Sequence, residues 1–244
     1  MNKTKIIEKT KEFVKSEMLK GDPGHDWQHV LRVNNIAKKI AKKEKADLFI
    51  VELAVLFHDI ADSKFTNGDE TIAPKKIKEF LNLLKIDEEL IEKVNYIVEH
   101  MSFKKNQPME KSIEFKIVQD ADRLDAIGAI GIARAFSFGG YKNRLIYNPE
   151  IKPNLNQTKE QYVKAEGTTI NHFYEKLLLL KDLMNTETGK KFAEKRHKFM
   201  EKFLGQFYKE WNGKAWLYIF IVIIIFNKLK EINYEQNKRY KKIK

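Results

Sequence analysis

The chain has 244 residues, of which 43% are hydrophobic and 33% charged, so it can bury a sizeable core beneath a well-solvated surface. This composition excludes a disordered protein, and the 11 glycines and 5 prolines exclude collagen-like and proline-rich classes. The chain has no cysteine, which excludes disulfides, thiolate metal sites and cysteine nucleophiles. Any bound metal must therefore be held by His, Asp or Glu.

The net charge of +12 is spread unevenly along the chain. Residues 213–244 hold eight Lys and Arg against two Glu, which is half of the excess. The remainder is mildly basic with mixed signs, which suits small anionic molecules and lacks the clustered basic stripe of nucleic-acid binders. We therefore expect no specific nucleic-acid partner. Charges also interrupt the N-terminal residues too often for a signal peptide, so we expect a cytoplasmic protein.

Helical periodicity dominates the chain, and the third helix is apolar almost all round, which predicts a buried central position. The predicted helices cover residues 3–19, 26–43, 46–62, 74–85, 87–101, 113–136, 159–184 and 187–211. A long loop is predicted over residues 138–154. We find no internal repeat and no convincing strand. The sequence thus predicts an all-α fold with one domain over residues 1–212 and an atypical hydrophobic and basic tail over 213–244.

Three polar clusters interrupt otherwise apolar helices. They read GHDWQHVLRV at residues 24–33, VLFHDI at 55–60 and VQDADRLDAIG at 118–128. Polar side chains within buried helices are costly unless they find one another. A single metal ion would bring the three clusters together. Other chemistries lack their motifs, since the chain contains no GxSxG, P-loop, HExxH or Rossmann fingerprint, and the glycines of AIGAIG are predicted to pack helices.

This ordered set resembles the signature of the HD-domain metal-dependent phosphohydrolases, a His, then a His-Asp pair, then a distant Asp, all on helices. The matching metal ligands in this chain are His29, His58, Asp59 and Asp122. The resemblance covers about residues 22–134, and its strings are most similar to a subgroup of small, stand-alone bacterial HD hydrolases. The helical stretch within residues 155–212 is also similar to the C-terminal half of that subgroup. The resemblance implies an HD-type helical bundle with a divalent metal site.

Two imidazoles and two carboxylates suit Mn²⁺, Mg²⁺, Co²⁺, Ni²⁺ or Fe²⁺, and Zn²⁺ less exclusively. The identity of the metal and the choice between one ion and two stay open. Helical spacing puts Asp122 and Asp125 on one face, and the family pattern aligns best with Asp122 as the ligand. Asp125 then supports a ligand, holds a second ion or contacts substrate; the alternative is an ion pair with Arg32 or Arg123.

A metal-activated water is the nucleophile that such a site implies, and basic groups must offset the charge that develops on phosphate. Candidate catalytic residues near the motifs are Asp62, Lys64 and Arg123. Asp62 orients a ligand, acts as a base or is an inert helix-end carboxylate. The candidate substrate-binding residues are His25, His100, Asp125, Lys176, Lys181 and Arg196. Each has an alternative, namely a solvated helix face for the cations of the later helices, a cap-region position for His25 and a dipole-stabilised helix end for His100.

The resemblance implies a small phosphorylated substrate, in particular a nucleoside triphosphate cleaved to monophosphate and pyrophosphate. A phosphomonoesterase and a non-catalytic nucleotide-sensing module are the alternatives. The apolar run at residues 215–226 is 12 residues long, whereas a membrane span needs about 20. Three interpretations of residues 215–244 stay open: a helix packed on the body or on a partner subunit of a homodimer, a membrane-surface contact, and an extension without a selected role.

Overall fold

The computed structural model describes residues 2–18, 26–60, 69, 71–101, 111–155 and 167–214. The chain divides into one compact unit of residues 1–198 and a second of residues 199–244. Within the described residues every regular element is helical, which confirms the predicted all-α class. The elements are α1 (Lys3–Met18), α2 (Trp27–Glu44), α3 (Leu48–Phe57), α4 (Ile72–Leu83), α5 (Glu88–His100), α6 (Ile113–Asp125), α7 (Gly128–Tyr141), α8 (Thr169–Glu175), a 3₁₀ helix (Leu177–Leu183) and α9 (Glu187–Trp211).

Helix α3 is the centre of the bundle, as its uniformly apolar sequence predicts. It contacts α1, α2, α5 and α6, and eight of its ten residues are buried. Asp47 begins the helix by accepting a hydrogen bond from the backbone N–H of Phe49 at 2.8 Å. The helix ends at Phe57, so the His58-Asp59 pair follows directly from the most buried element of the fold.

Helices α2 and α6 pack along each other and against α3. Asp26 begins α2 by accepting from the backbone N–H of His29 at 2.7 Å, which sets His29 in the first helical turn. Ser112 begins α6 in the same way through the N–H of Phe115 at 3.2 Å. The start of α2, the end of α3 and the last turns of α6 carry the three polar clusters of the sequence.

The predicted continuous helix over residues 113–136 is wrong, because the chain breaks between α6 and α7. Ile127 is extended and Gly128 takes a φ of +79°, a left-handed conformation that favours glycine. A side chain at Gly131 is also excluded, since its Cβ would lie 2.3 Å from the carbonyl oxygen of Ala126. The glycines of AIGAIG therefore form a tight helix-to-helix turn.

The predicted helix over residues 159–184 is also interrupted where the structure describes it. Lys176 leaves the helical region with φ −143° and ψ −57°, and a 3₁₀ helix follows α8. Leu177 and Leu180 are its buried residues, and a 3₁₀ helix places residues three apart on one face. The predicted loop at 138–154 begins four residues late, because α7 continues to Tyr141.

Among the described helices, none combines the length and the apolar character that crossing a membrane requires. Residues 215–244, which include the apolar run and the basic end of the chain, lie outside the described residues.

Candidate metal centre

Four side chains from three helical segments converge on one point. The Nε2 atoms of His29 and His58 lie 3.1 Å apart. The Oδ2 atom of Asp59 lies 3.4 Å from each of them. The Oδ1 atom of Asp122 lies 3.4 Å from the His29 nitrogen and 4.0 Å from the His58 nitrogen. His29, His58 and Asp59 alone already form a group whose ligand atoms are close enough to share an ion.

The hydrogen bonds of the two imidazoles determine which nitrogen faces this point. His58 Nδ1 lies 2.7 Å from the carbonyl oxygen of Val55, and His29 Nδ1 lies 2.8 Å from Asp125 Oδ2. Both partners are acceptors, so each Nδ1 carries a proton and each Nε2 faces the shared point, where it offers a lone pair once it is deprotonated. Two deprotonated nitrogens and two carboxylates at these distances repel one another unless a proton or a metal cation lies between them. The donor set therefore fits a divalent metal ion.

The raised pKa of His29 also indicates that this cluster favours a positive charge. Burial lowers the pKa of this imidazole, but hydrogen bonds with Asp122, Asp125 and Asp59 outweigh burial and raise it to about 11. Burial raises the pKa of Asp122, but the His29 hydrogen bond and the nearby imidazole charges hold it below its ordinary value. The cluster thus holds a proton where it would otherwise hold a metal. The Asp122 side chain is 42% exposed, which leaves the cluster open to solvent on that side.

Asp125 lies behind His29 and is 1% exposed. Arg32 pairs with it through two bonds, Nε to Oδ1 at 2.8 Å and Nη2 to Oδ2 at 3.0 Å. Arg134 of α7 adds a third bond, from Nη1 to Oδ2 at 2.8 Å. Burial raises the pKa of the Asp125 carboxyl, but hydrogen bonds from His29 and Arg32 hold it well below its usual range.

The opposite face of α6 serves a different purpose. Asp120 is fully buried and accepts four hydrogen bonds of 2.7–2.8 Å from the backbone and side chain of Asn185 and of Thr186. Thr186 in turn accepts from the backbone N–H of Gly189 at 2.9 Å, which caps the start of α9. Asp120 therefore fastens α9 to α6 and stays out of the donor cluster.

The predicted arginines have backbone partners. Arg123 donates to the carbonyl of Leu183, and Arg196 donates to the carbonyl of Leu124. Burial lowers the pKa of both guanidinium groups. These contacts hold the 3₁₀ helix and α9 against the last turn of α6.

The remaining predicted residues lie in several places. His100 ends α5, where its Nδ1 lies 2.9 Å from the Tyr96 carbonyl and its ring stacks on the Tyr96 ring. Lys176 is exposed between α8 and the 3₁₀ helix, and Lys181 lies 3.9 Å from Asp182. His25, Asp62 and Lys64 lie outside the described residues.

Sequence reasoning missed Arg134 and the pair Asn185 and Thr186. Arg134 had a usable signal, because it is a charged residue in a run of small and apolar ones. Asn185 and Thr186 fall between two predicted helices, over residues 159–184 and 187–211. No local sequence pattern predicts that both residues bond to Asp120, which lies about 65 residues earlier in the chain.

Several known proteins are similar to this chain in sequence and in fold. The model of the HD domain matches residues 26–127. Over 216 residues the chain is 41% identical to the protein YpgQ of Bacillus subtilis, covering 87% of this chain and 97% of that protein. It is also similar to the crystal structure of an HD-superfamily hydrolase from Bacillus thuringiensis, with a TM-score of 0.72, 46% identity and coverage of 86% and 99% of the two chains. The structure of YpgQ in complex with ADP matches with a TM-score of 0.67 and 39% identity over 84% of this chain and 97% of that one.

Proposed function

Because the chain belongs to the HD-domain family, we propose that it is a metal-dependent phosphohydrolase that cleaves nucleoside triphosphates to monophosphate and pyrophosphate. The observation that carries this proposal is the convergence of His29, His58, Asp59 and Asp122 on one point, with both imidazoles presenting Nε2. A divalent ion bound there supplies a Lewis acid that offsets phosphate charge and lowers the pKa of water.

Residues around the cluster orient the two imidazoles and determine how substrate reaches the metal site. Val55 and Asp125 hold the two imidazoles in the orientation that presents Nε2. Asp122 is the most exposed of the four donors, so substrate approaches past it. Asp62 and Lys64 follow the His58-Asp59 pair within a few residues, which supports their proposed roles as a base or orienting group and as a phosphate-binding cation.

Contacts between cations and substrate are a further part of the proposal. Arg123 neighbours Asp122 in sequence, and its guanidinium is a permanent cation whose geometry matches phosphate. Arg196, which donates to the carbonyl of Leu124, is a second cation close to α6. The proposed substrate-binding set also includes His25, His100, Lys176 and Lys181, whereas Asp125 is buried behind His29 and bonded to Arg32 and Arg134.

The proposal of a nucleotide as substrate is supported by a similar protein. YpgQ, which shares 39% identity with this chain in the structural comparison, has been crystallised with ADP. A nucleotide is therefore the first class of substrate to test. The same complex also suits a module that binds a nucleotide without hydrolysing it, and this nucleotide-sensing role is the second candidate.

The test is metal-dependent hydrolysis across a panel of nucleoside mono-, di- and triphosphates, sugar phosphates and a phosphodiester. Each would be assayed with Mn²⁺, Mg²⁺, Co²⁺ and Ni²⁺ for wild type, Asp122→Ala and, as control, Glu89→Ala, which removes a carboxylate of α5 that is 75% exposed. We expect pyrophosphate release from triphosphates by wild type and the control, lost in Asp122→Ala. Release of orthophosphate from monophosphates would favour a phosphomonoesterase. Saturable binding without turnover would favour the sensing role.

A further inference from the structure

We propose that Asp125 is a positioning residue: it fixes the orientation and tautomer of His29 and so sets the affinity of the metal centre. This inference rests on the metal site of the proposed function and assigns Asp125 a role without contact to metal or substrate.

Among the residues that the structure describes, the hydrogen-bond partners of both Asp125 oxygens are N–H donors. Oδ1 accepts from Arg32 Nε, and Oδ2 accepts from Arg32 Nη2, Arg134 Nη1 and His29 Nδ1, at 2.8–3.0 Å. The two-bonded contact with Arg32 fixes the plane of the carboxylate, since the guanidinium fork is rigid. The Oδ2 lone pairs are therefore held towards His29 Nδ1. Nδ1 then keeps its proton, so Nε2 is the nitrogen that loses its proton and binds the ion.

The two ligand imidazoles are supported unequally. His58 donates to the neutral carbonyl of Val55, whereas His29 donates to an ionised carboxylate. A carboxylate behind an imidazole makes it a more basic ligand, and removing such support commonly lowers metal affinity about 10–100-fold. The asymmetry indicates that Asp125 acts on the metal through His29 alone.

Asparagine is the informative replacement because it keeps the shape of the side chain. One end of an amide is an NH₂ group, which would point at N–H donors whichever way the amide is turned. If the NH₂ replaces Oδ2, it meets Arg134, Arg32 and His29; if it replaces Oδ1, it meets Arg32 Nε. In either orientation the support of His29 is weakened.

The first experiment measures binding of Mn²⁺ and of Co²⁺ to the full chain by calorimetry. We expect Asp125→Asn to bind each ion about 10–100-fold more weakly than wild type. Asp120→Asn is the matched control, because it makes the same change at a buried aspartate of the same helix whose partners are Asn185 and Thr186. We expect the control to lower the unfolding midpoint and to leave metal affinity within about twofold of wild type, since Asp120 lies outside the donor cluster.

A second variant covers the case in which Asp125→Asn does not fold. Arg32→Lys keeps the positive charge and the carboxylate but replaces the paired fork with a single donor group. We expect a smaller loss of metal affinity, because Arg134 and His29 still hold Oδ2. An affinity equal to that of wild type would contradict the proposal.

A spectroscopic measurement separates positioning from general destabilisation. In the Co²⁺-loaded protein, the Nδ1–H of each ligand imidazole gives a shifted, exchangeable proton resonance. We expect Asp125→Asn to remove or displace the resonance of His29 and to retain that of His58, whose partner is Val55. Two unchanged resonances together with wild-type affinity would overturn the role of Asp125. Failure of the wild-type chain to bind either ion would instead overturn the metal centre, and the proposed function with it.

Discussion

His29 lies among three carboxylates, so its proton competes directly with the metal. Its pKa of about 11 in the protein without metal means that His29 is protonated at neutral pH. An ion can use Nε2 only after that proton has left. We therefore expect metal affinity to rise with pH, by about tenfold per unit between pH 6 and 8 for one displaced proton. Titrations at three pH values check the slope, and calorimetry in two buffers counts the protons.

The same pKa determines how the metal-free protein responds to alkaline pH. A histidine whose pKa is raised on folding stabilises the fold fully below its unfolded pKa of 6.5. That contribution is lost as pH rises through the folded value near 11. We expect the free energy of unfolding of metal-free protein to fall between pH 7 and 10. His29→Gln removes this titration, and an equally steep decline in that variant would contradict the explanation.

The sequence predicts the candidate metal ligands better than the residues that hold those ligands in place. Helical spacing separates Asp122 and Asp125 from Asp120, because residues two apart point in nearly opposite directions and residues three apart share a face. The structure brings Asp122 to the cluster and places Asp120 on the other side of α6. The partnership of Asp125 with Arg134 was not predictable, because it depends on the tight turn at Gly128.

At the scale of elements, the junction of α6 with α9 is closely packed. A Cβ at Gly189 would lie 2.3 Å from Asp120 Oδ2 and 2.8 Å from Thr186 Oγ1. We expect Gly189→Ala to lower the free energy of unfolding by about 2 kcal/mol or more, because the buried neighbours cannot move away. Gly205 of the same helix is the matched control, since a Cβ there meets nothing within 4 Å. Gly205→Ala should raise stability by about 0.5–1 kcal/mol, and urea unfolding measures both.

Asp120 itself can be tested by truncation. Asp120→Ala leaves four donors of Asn185 and Thr186 without their acceptor, and a buried unsatisfied donor costs about 1–3 kcal/mol. We expect a loss of roughly 3 kcal/mol or more in urea unfolding. Metal binding by the folded fraction should persist, because Asp120 is not a donor. A variant that unfolds like wild type would show that α9 is held by other contacts.

Helix boundaries were predictable where a local cap exists. Asp87 and Ser112 each accept from a backbone N–H at the start of a helix and agree with the predicted starts at residues 87 and 113, whereas Asp47 caps a helix whose start was predicted at residue 46. The interruptions at Gly128 and Lys176 were not readable. At the first, Gly128 packs against the Arg196 side chain of α9, and at the second, Leu177 and Leu180 are buried, so both involve contacts that a local sequence pattern does not show.

At the scale of the whole molecule, the predicted tail over residues 213–244 is the part whose role stays open. The match with YpgQ spans 97% of that protein but 87% of this chain. We expect a chain truncated after residue 213 to fold, to bind metal and to hydrolyse its substrate at the rate of the full chain. Activity assays and calorimetry on both chains check this. Loss of soluble protein on truncation would contradict it and would favour packing on the body or on a second subunit.

Liposome flotation tests the interpretation that residues 215–244 contact a membrane surface. If residues 215–244 contact membranes, the full chain should float with anionic vesicles and the truncated chain should not. Equal sedimentation of both chains would exclude a membrane-surface role. This comparison uses no active-site variant, so its result is independent of the proposed function.

Helix α6 makes essential contacts on more than one face. Asp122 and Asp125 contact the histidines, and Asp120 contacts the start of α9. Each residue of a helix turns the next by about 100°. Deleting or inserting a single residue between Gln119 and Asp125 would therefore rotate one set of contacts away while the other stayed in place. Variation in this stretch can proceed by exchange of side chains but not by a change of length.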